Sequence, residues 1–405
     1  MTHKTFFLLA LALGLVLVLA GCDEQTPVVP QVFELDAAES IERDLAGAES
    51  LESFDESGIG QHAFGFGGVK VMTWNIYVGT DIDKVLGAQD PSQIPVLAAE
   101  AFQLLLATNF PERADAIAKQ VKRYRPHLIG LQEVSTIRIQ SPGDAAFGGT
   151  TPAEDVLFDY LQIMLDALEA AGLHYKVAGV VQNTDAEVPM IVSVDPLQFD
   201  DIRLTDFDVV LARPDVQISN VVEANYQTRL PFPALGFDVV RGYVAVDAKV
   251  RHKRYRFVNT HLEPASSGQE IQLGQAQELI DALNRDRLPV ILVGDLNTRP
   301  PSDATYSFFL AEGFADTWPL NRHEDENNPD GFTSNHDLDL RNEVVDLHQR
   351  IDFIMARTGK QDIGVLATVI GDELEDRTTS GLWPSDHAGV VAKLWIPRIR
   401  HFADR

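Results

Sequence analysis

Five short segments end apolar runs on polar side chains with chemical capability: Thr73-Trp74-Asn75, Leu131-Gln132-Glu133, Asn259-Thr260-His261-Leu262, Gly294-Asp295-Leu296-Asn297 and Ser385-Asp386-His387. A sixth, Arg350-Ile351-Asp352-Phe353-Ile354, embeds an acid inside an apolar run. A charged group at the mouth of a hydrophobic strand is costly to desolvate unless it is paired or coordinated. One such group is ordinarily a structural hydrogen bond; six in order along one chain make a site. Carboxylate and amide oxygens can hold a hard divalent cation. Imidazoles can move protons. Asp295 and Asn297, two apart on an extended segment, point the same way.

These residues need strands to carry them. β-branched runs recur at 69–77, 128–132, 175–181, 208–212, 243–250, 254–262, 290–294, 351–356, 365–369 and 390–395. Their length and composition are strand-like. Pro111 followed by Ala114, Ile117, Ala118 and Val121 predicts a helix that Pro126 ends. Leu157, Leu161, Met164, Leu165 and Leu168 predict a second, closed by Gly172, and Ile271, Gln275, Leu279 and Leu283 a third after Gly268. Runs 243–250 and 254–262 are separated by a short polar turn, which implies hairpins and mixed sheets. Residues 182–206 and 214–240, rich in proline, read as loops, and 321–343 reads as a long polar loop near the site.

In this order the six segments resemble the motifs of the endonuclease/exonuclease/phosphatase superfamily. It includes pancreatic-type deoxyribonucleases, abasic-site endonucleases, inositol-polyphosphate 5-phosphatases and bacterial neutral sphingomyelinases. The resemblance spans residues 69–397. It implies a four-layer α/β sandwich with two packed mixed β-sheets flanked by helices, and divalent-metal-dependent hydrolysis of a phosphodiester or phosphomonoester. By the same resemblance Glu133, Asn75 and Asp386 are expected to bind Mg²⁺ or Mn²⁺. His387 is expected to be the general base and Asp352 the partner that fixes its tautomer, although Asp352 could instead pair with Arg350. Asp295 and Asn297 would orient the nucleophile and bind a phosphoryl oxygen, and His261 would support the developing charge. Arg213, after the 208–212 run, sits where relatives place a phosphate-binding arginine, and reads equally well as a solvated strand-end residue. Asn183 follows a strand where some relatives carry a phosphate contact. His323, His336 and His348 read as solvated loop histidines.

The N-terminus carries an address. Lys4 precedes an apolar run from Phe6 to Leu19, and Leu19-Ala20-Gly21-Cys22 resembles the lipobox of bacterial lipoproteins. Cys22 is the single cysteine, so no intramolecular disulfide can form. The expected organisation is a signal peptide over 1–21, an acidic tether over 22–68, the catalytic domain over 69–397 and a tail over 398–405. Lipidation of Cys22 would anchor the protein to a membrane of the bacterial envelope, and Asp23 after the cysteine points to the inner membrane.

The formal net charge is -27, and residues 69–397 alone hold 48 acidic against 28 basic residues. That balance repels polyanions, so a nucleic-acid substrate is disfavoured, leaving an envelope-tethered nuclease as the alternative. A lipid or headgroup phosphoester gains from the tether, and the apolar segment 230–237 could touch a bilayer. A non-catalytic binding lipoprotein would be expected to lack a member of the constellation, and all eight residues are present. No protein partner is implied.

Overall fold

The computed structural model describes residues 67–396, apart from 89, 233–235, 285, 286, 324 and 360–362. The expected signal peptide, Cys22, the tether up to residue 66 and the 398–405 tail lie outside the described residues.

In chain order the strands are β1 (Val69–Asn75), β2 (Leu128–Gln132), β3 (Thr136–Gln140), β4 (Asp155–Asp159), β5 (Lys176–Val194), β6 (Leu197–Ala212), β7 (Gln217–Asn225) and β8 (Leu230–Phe232). They continue as β9 (Phe237–Val239), β10 (Gly242–Val250), β11 (Lys253–His261), β12 (Val290–Asp295), β13 (Ala315–Asp316), β14 (Asp352–Arg357), β15 (Gly364–Ile370) and β16 (Gly389–Trp395). The helices are α1 (Asp83–Leu86), α2 (Ile94–Ala107), α3 (Phe110–Tyr124), α4 (Tyr160–Ala170), α5 (Ala265–Leu283) and α6 (Ala304–Ala311).

One sheet runs β15-β16-β1-β2-β6-β3-β4, with β5 added to β6; the other runs β13-β14-β12-β11-β10-β7. Strands with two buried faces alternate between two cores. Met72 and Trp74 of β1 join α3 and α4 in one core, while Val69 and Val71 face the second sheet. Val258, Leu292 and Phe353 of the second sheet pack with Leu279 and Ile280 of α5 and Phe309 of α6. The order of layers is helix, sheet, sheet, helix, as expected.

Local chemistry explains several elements. Pro111 opens α3 at a position where no N–H is needed, and the buried stripe Ala114, Ile117, Ala118, Val121 follows. Arg125 in the left-handed region closes α3 just before Pro126. α5 is kinked at Gly268, so its regular part starts where the sequence placed it.

Two expected loops are strands. Residues 182–206 form most of the β5–β6 hairpin, and 214–240 holds β7 and the small β8–β9 hairpin. Among the described residues β5 pairs only with β6, so Pro189 sits on an edge strand, where proline is tolerated, and Pro196 lies in the turn between the two strands. Leu157 belongs to β4, and the helix expected to include it starts at Tyr160, capped by Asp159 accepting from Gln162 N at 3.0 Å.

Candidate active site

β1 and β2 run parallel, as do β11 and β12. β14 and β16 run antiparallel to β12 and β1, so they begin at the edge where β12 and β1 end. Alternation then does the rest. Val71, Thr73 and Asn75 point between the sheets, and so do Phe257, Asn259 and His261, and Ile291, Val293 and Asp295. Each series turns from apolar to polar as it reaches the same edge.

Glycine at 294 is required for this approach: its φ is +143° and a Cβ would lie 1.8 Å from the Thr260 carbonyl oxygen. Gln132 donates to Asn259 Oδ1 at 2.6 Å, and Asn259 donates to the Leu131 carbonyl at 2.9 Å, tying the two sheets together below the site.

Glu133 follows β2 in the left-handed region, with φ +58°. Its carboxylate accepts from Asn75 Nδ2 and from Val78 N, both at 2.8 Å. Asn75 Nδ2 also reaches Asp295 Oδ2 at 3.2 Å, while Asn75 Oδ1 accepts from Tyr77 N at 3.0 Å. The expected metal-facing place of Asn75 changes accordingly: its oxygen is turned to the backbone and its amide holds two carboxylates. Asp386 Oδ1 accepts from Ser385 Oγ at 3.3 Å, and Ser385 Oγ also bonds the Asn75 carbonyl at 2.7 Å, pinning the 385–387 turn to β1.

His387 Nδ1 is 2.8 Å from Asp352 Oδ2, and its Nε2 is 3.3 Å from Ser334 Oγ in the expected long loop. Asp352 Oδ1 is buried without a hydrogen-bond partner among the described residues. Arg350 pairs with Asp316 at 2.8 Å, so it leaves Asp352 to the histidine. Burial opposes charge on His387, but the carboxylates of Asp352, Asp386 and Asp295 outweigh it and raise the imidazole well above its ordinary value. Asp295 is pushed up to about 7 by burial and by Asp352 beside it.

His261 Nδ1 is 3.0 Å from Arg241 Nη1, and its Nε2 is 3.1 Å from Asn297 Nδ2. Arginine can only donate, so Nδ1 holds a lone pair and a neutral His261 carries its proton at Nε2. There the nearby acceptor is Asp295 Oδ2 at 3.5 Å, while the Asn297 amide donates to the Leu262 carbonyl at 2.9 Å. Burial, with Arg241 and His387 nearby, lowers this imidazole well below its ordinary value. Arg241 also donates to Glu263 at 2.9 Å and lies 3.8 Å from Asp206, which accepts from Asn183 Nδ2 at 3.1 Å and from Ser135 Oγ at 3.4 Å.

Eight of the nine expected active-site residues therefore meet. Arg213 does not. β6 is antiparallel to β2, so the end of β6 lies beside the start of β2, at the edge opposite Glu133. There Arg213 bonds Asp215 at 2.6 Å and the Arg125 carbonyl at 2.9 Å. Asn183 bonds Asp206 and supports the cation at one remove.

Three further residues went unread. Arg241 brings a guanidinium to the cavity, paired with Glu263, which stands two after His261 on the Asn-Thr-His-Leu-Glu segment, and Arg113 is fully buried. Arg113 donates to the carbonyls of Ile76, Tyr77, Thr108 and Pro384, clamping the ends of β1 and the 385–387 turn. Only Glu263 had a local signal, its spacing from His261.

A cavity of about 310 Å³ is lined by Glu133, Arg241, His261, Glu263, Asp295, Asn297, Asp386 and His387. Asn75 and Asp352 stand behind its wall. The donor set suits a hard cation. Burial raises Asp386 to about 6, and Glu133 adds to the rise, so these two neighbouring carboxylates are charged together at a cost that a cation would relieve. Asp295, Asp352 and His387 also offer ligand atoms within 4.8 Å of one another and could hold a metal ion.

The model of the Endonuclease/Exonuclease/phosphatase family matches residues 72–387. The chain belongs to this family. Among solved structures, a family protein from Leptotrichia buccalis is 16% identical with a TM-score of 0.47, covering 80% of this chain and 99% of its own. A mannosyl-6-phosphatase of Bacteroides thetaiotaomicron is 19% identical with a TM-score of 0.47, covering 80% and 99%. TDP2 of D. rerio, complexed with single strand DNA product, is 16% identical with a TM-score of 0.46, covering 80% and 98%. No curated protein sequence matches the chain.

Proposed function

We propose that this member of the Endonuclease/Exonuclease/phosphatase family is a divalent-cation-dependent hydrolase of phosphoric esters. The observation that carries the reading is the His387–Asp352 pair at 2.8 Å, in which His387 lines a cavity also lined by Glu133 and Asp386. Mg²⁺ or Mn²⁺ would be held by Glu133 and Asp386, with Asn75 orienting Glu133. When bound, such an ion supplies positive charge to the phosphoryl oxygens.

The chain's own groups do the remainder. Asp352 accepts a hydrogen bond from His387 Nδ1–H, which keeps the proton there and leaves Nε2 free to take a proton from the attacking water. Asp295 and Asn297 orient that water and a phosphoryl oxygen. His261 donates from Nε2, and Arg241 behind it keeps that tautomer while adding positive charge to the pocket.

The test uses the purified full chain with bis-p-nitrophenyl phosphate, DNA, sphingomyelin and inositol phosphates, with Mg²⁺ and with chelator. Metal-dependent turnover that Glu133→Ala and His387→Ala both abolish supports the reading. Equal activity in the parent and both variants would sink it. The reading includes attachment to an envelope membrane through lipidated Cys22. Cys22→Ser should release the protein to the soluble fraction and block its processing; unchanged fractionation and mass would refute this part alone.

A further inference from the structure

Half of the cavity is not polar. Along β6, positions 202, 204 and 206 share one face, and the residues change from Ile202 and Leu204 to Asp206 as the strand enters the site. The register continues this apolar face sideways: Leu204 pairs with Ile137 of β3 and Ala186 of β5, and Ile202 pairs with Val188. The opposite face of the same strands is charged, with Arg203 bonded to Asp185 at 2.8 Å.

α2 covers the apolar face from the other side. Ala98, Ala101, Phe102 and Leu105 recur at helical spacing and line the same cavity. The helix packs on β5, with Ala98 and Leu105 buried, while Ala101, Phe102, Val188 and Ile202 stay half-buried and line an apolar trough continuous with the cavity. Beyond it the β5–β6 hairpin ends in Val194 and Leu197, 80% and 59% exposed, about 20 Å along the strand from Val188 at 3.3 Å per residue.

We propose that this trough holds the hydrocarbon part of the substrate, so that the chain prefers phosphoesters bearing an alkyl or acyl chain over esters of sugars or nucleosides. The assignment rests on the hydrolase reading above and names its substrate class. Continuity carries it: Glu133, Asp295, Asp386 and His387 line one end of the cavity whose other end is apolar, so an ester bound at the polar end must lay one substituent along aliphatic side chains. A sugar or nucleoside there would lose hydrogen bonds to water without replacing them.

The experiment compares p-nitrophenyl methyl phosphate with p-nitrophenyl octyl phosphate, on the full chain with Mg²⁺, below the micellar concentration of the octyl ester. Water adds its oxygen to phosphorus, p-nitrophenolate leaves, and the alkyl phosphate remains. The octyl ester should show a kcat/KM at least about tenfold higher, well within what burying extra methylenes can supply. Val188→Asp and Ala101→Glu, on facing walls, should each bring the octyl-to-methyl ratio towards one, whereas Val188→Ile should keep the parent ratio. Thermal melts identify any variant that fails to fold, and the other wall then decides. Equal rates on the two esters in the parent, or wall variants that keep the parent ratio, overturn the trough and leave the hydrolase intact. A preference appearing only above the micellar concentration also overturns it, pointing to surface adsorption. No turnover of either ester removes the hydrolase reading and the trough with it.

Discussion

Replacing Asp352 with asparagine keeps the side chain's volume and removes its charge. In the native arrangement Asp352 Oδ2 meets His387 Nδ1 at 2.8 Å, with Asp352 2% and His387 8% exposed. A charge-assisted hydrogen bond is worth about 1.5–3 kcal/mol, which is roughly 10- to 100-fold in rate. The amide can also donate to Nδ1 and force the proton onto Nε2, where the base can no longer accept one. Losing a general base costs about 10²- to 10⁴-fold, so kcat should fall within that range with little change in KM.

The pH profile gives a second readout. The base works as neutral imidazole, so kcat/KM falls as pH drops through the His387 pKa. The surrounding carboxylates overcome burial and raise that pKa well above the ordinary 6.5. Without the Asp352 charge it falls, and the acid limb should move to lower pH while the plateau drops. Stopped-time assays with bis-p-nitrophenyl phosphate across pH 5–9 follow both effects. A kcat within about threefold of the parent, or an acid limb displaced to higher pH, would refute the pairing as the source of the base.

Cation binding should be visible without turnover. Burial raises Asp295 to about 7 and Asp386 to about 6 from 3.8, so each contributes stability that is present at acid pH and lost as pH rises through 6–7. Mg²⁺ binds the ionised forms, so it should raise Tm more at pH 8 than at pH 5, by about 5 °C near hundredfold saturation, and Glu133→Gln should lose the gain; equal shifts at both pH values would contradict this. Arg241→Leu strands Glu263 and Asp206 as buried charges and should cost about 3–5 kcal/mol in urea unfolding, with Arg241→Lys restoring much of the stability but not the activity. Gly294→Ala should destabilise by more than about 2 kcal/mol, whereas Gly148→Ala, also at positive φ but with nothing within 4 Å of its Cβ, should cost about 1 kcal/mol; equal melting temperatures would show that the Thr260 carbonyl can yield. Arg213→Ala should leave kcat/KM within about twofold, since its partners Asp215 and the Arg125 carbonyl lie at the far edge of the sheet.

Much of this site was legible along the chain because its signals are local. A polar residue ending an apolar strand marks a desolvation problem that the residue type itself announces, and six such ends in order outlined the constellation. Period-two alternation accounts for Asn75, His261 and Asp295 lying on the faces between the sheets, once strand register is known. The same locality made the β5–β6 hairpin hard to see, since an edge strand tolerates the prolines that elsewhere mark a loop.

The choice of cation lay beyond local signals. Arg213 ends a strand and Arg241 lies just before one, and by sequence the first resembled the site residue. Whether a strand end reaches the site depends on the direction of its neighbour. β6 runs against β2, carrying Arg213 away from Glu133, while β10 runs against β11, so its start lies beside His261 and brings Arg241 there. Residue types and order along the chain determined which groups could do the chemistry. Strand direction and register, set by packing two sheets together, decided which of them meet, because facing partners in a sheet are far apart in sequence.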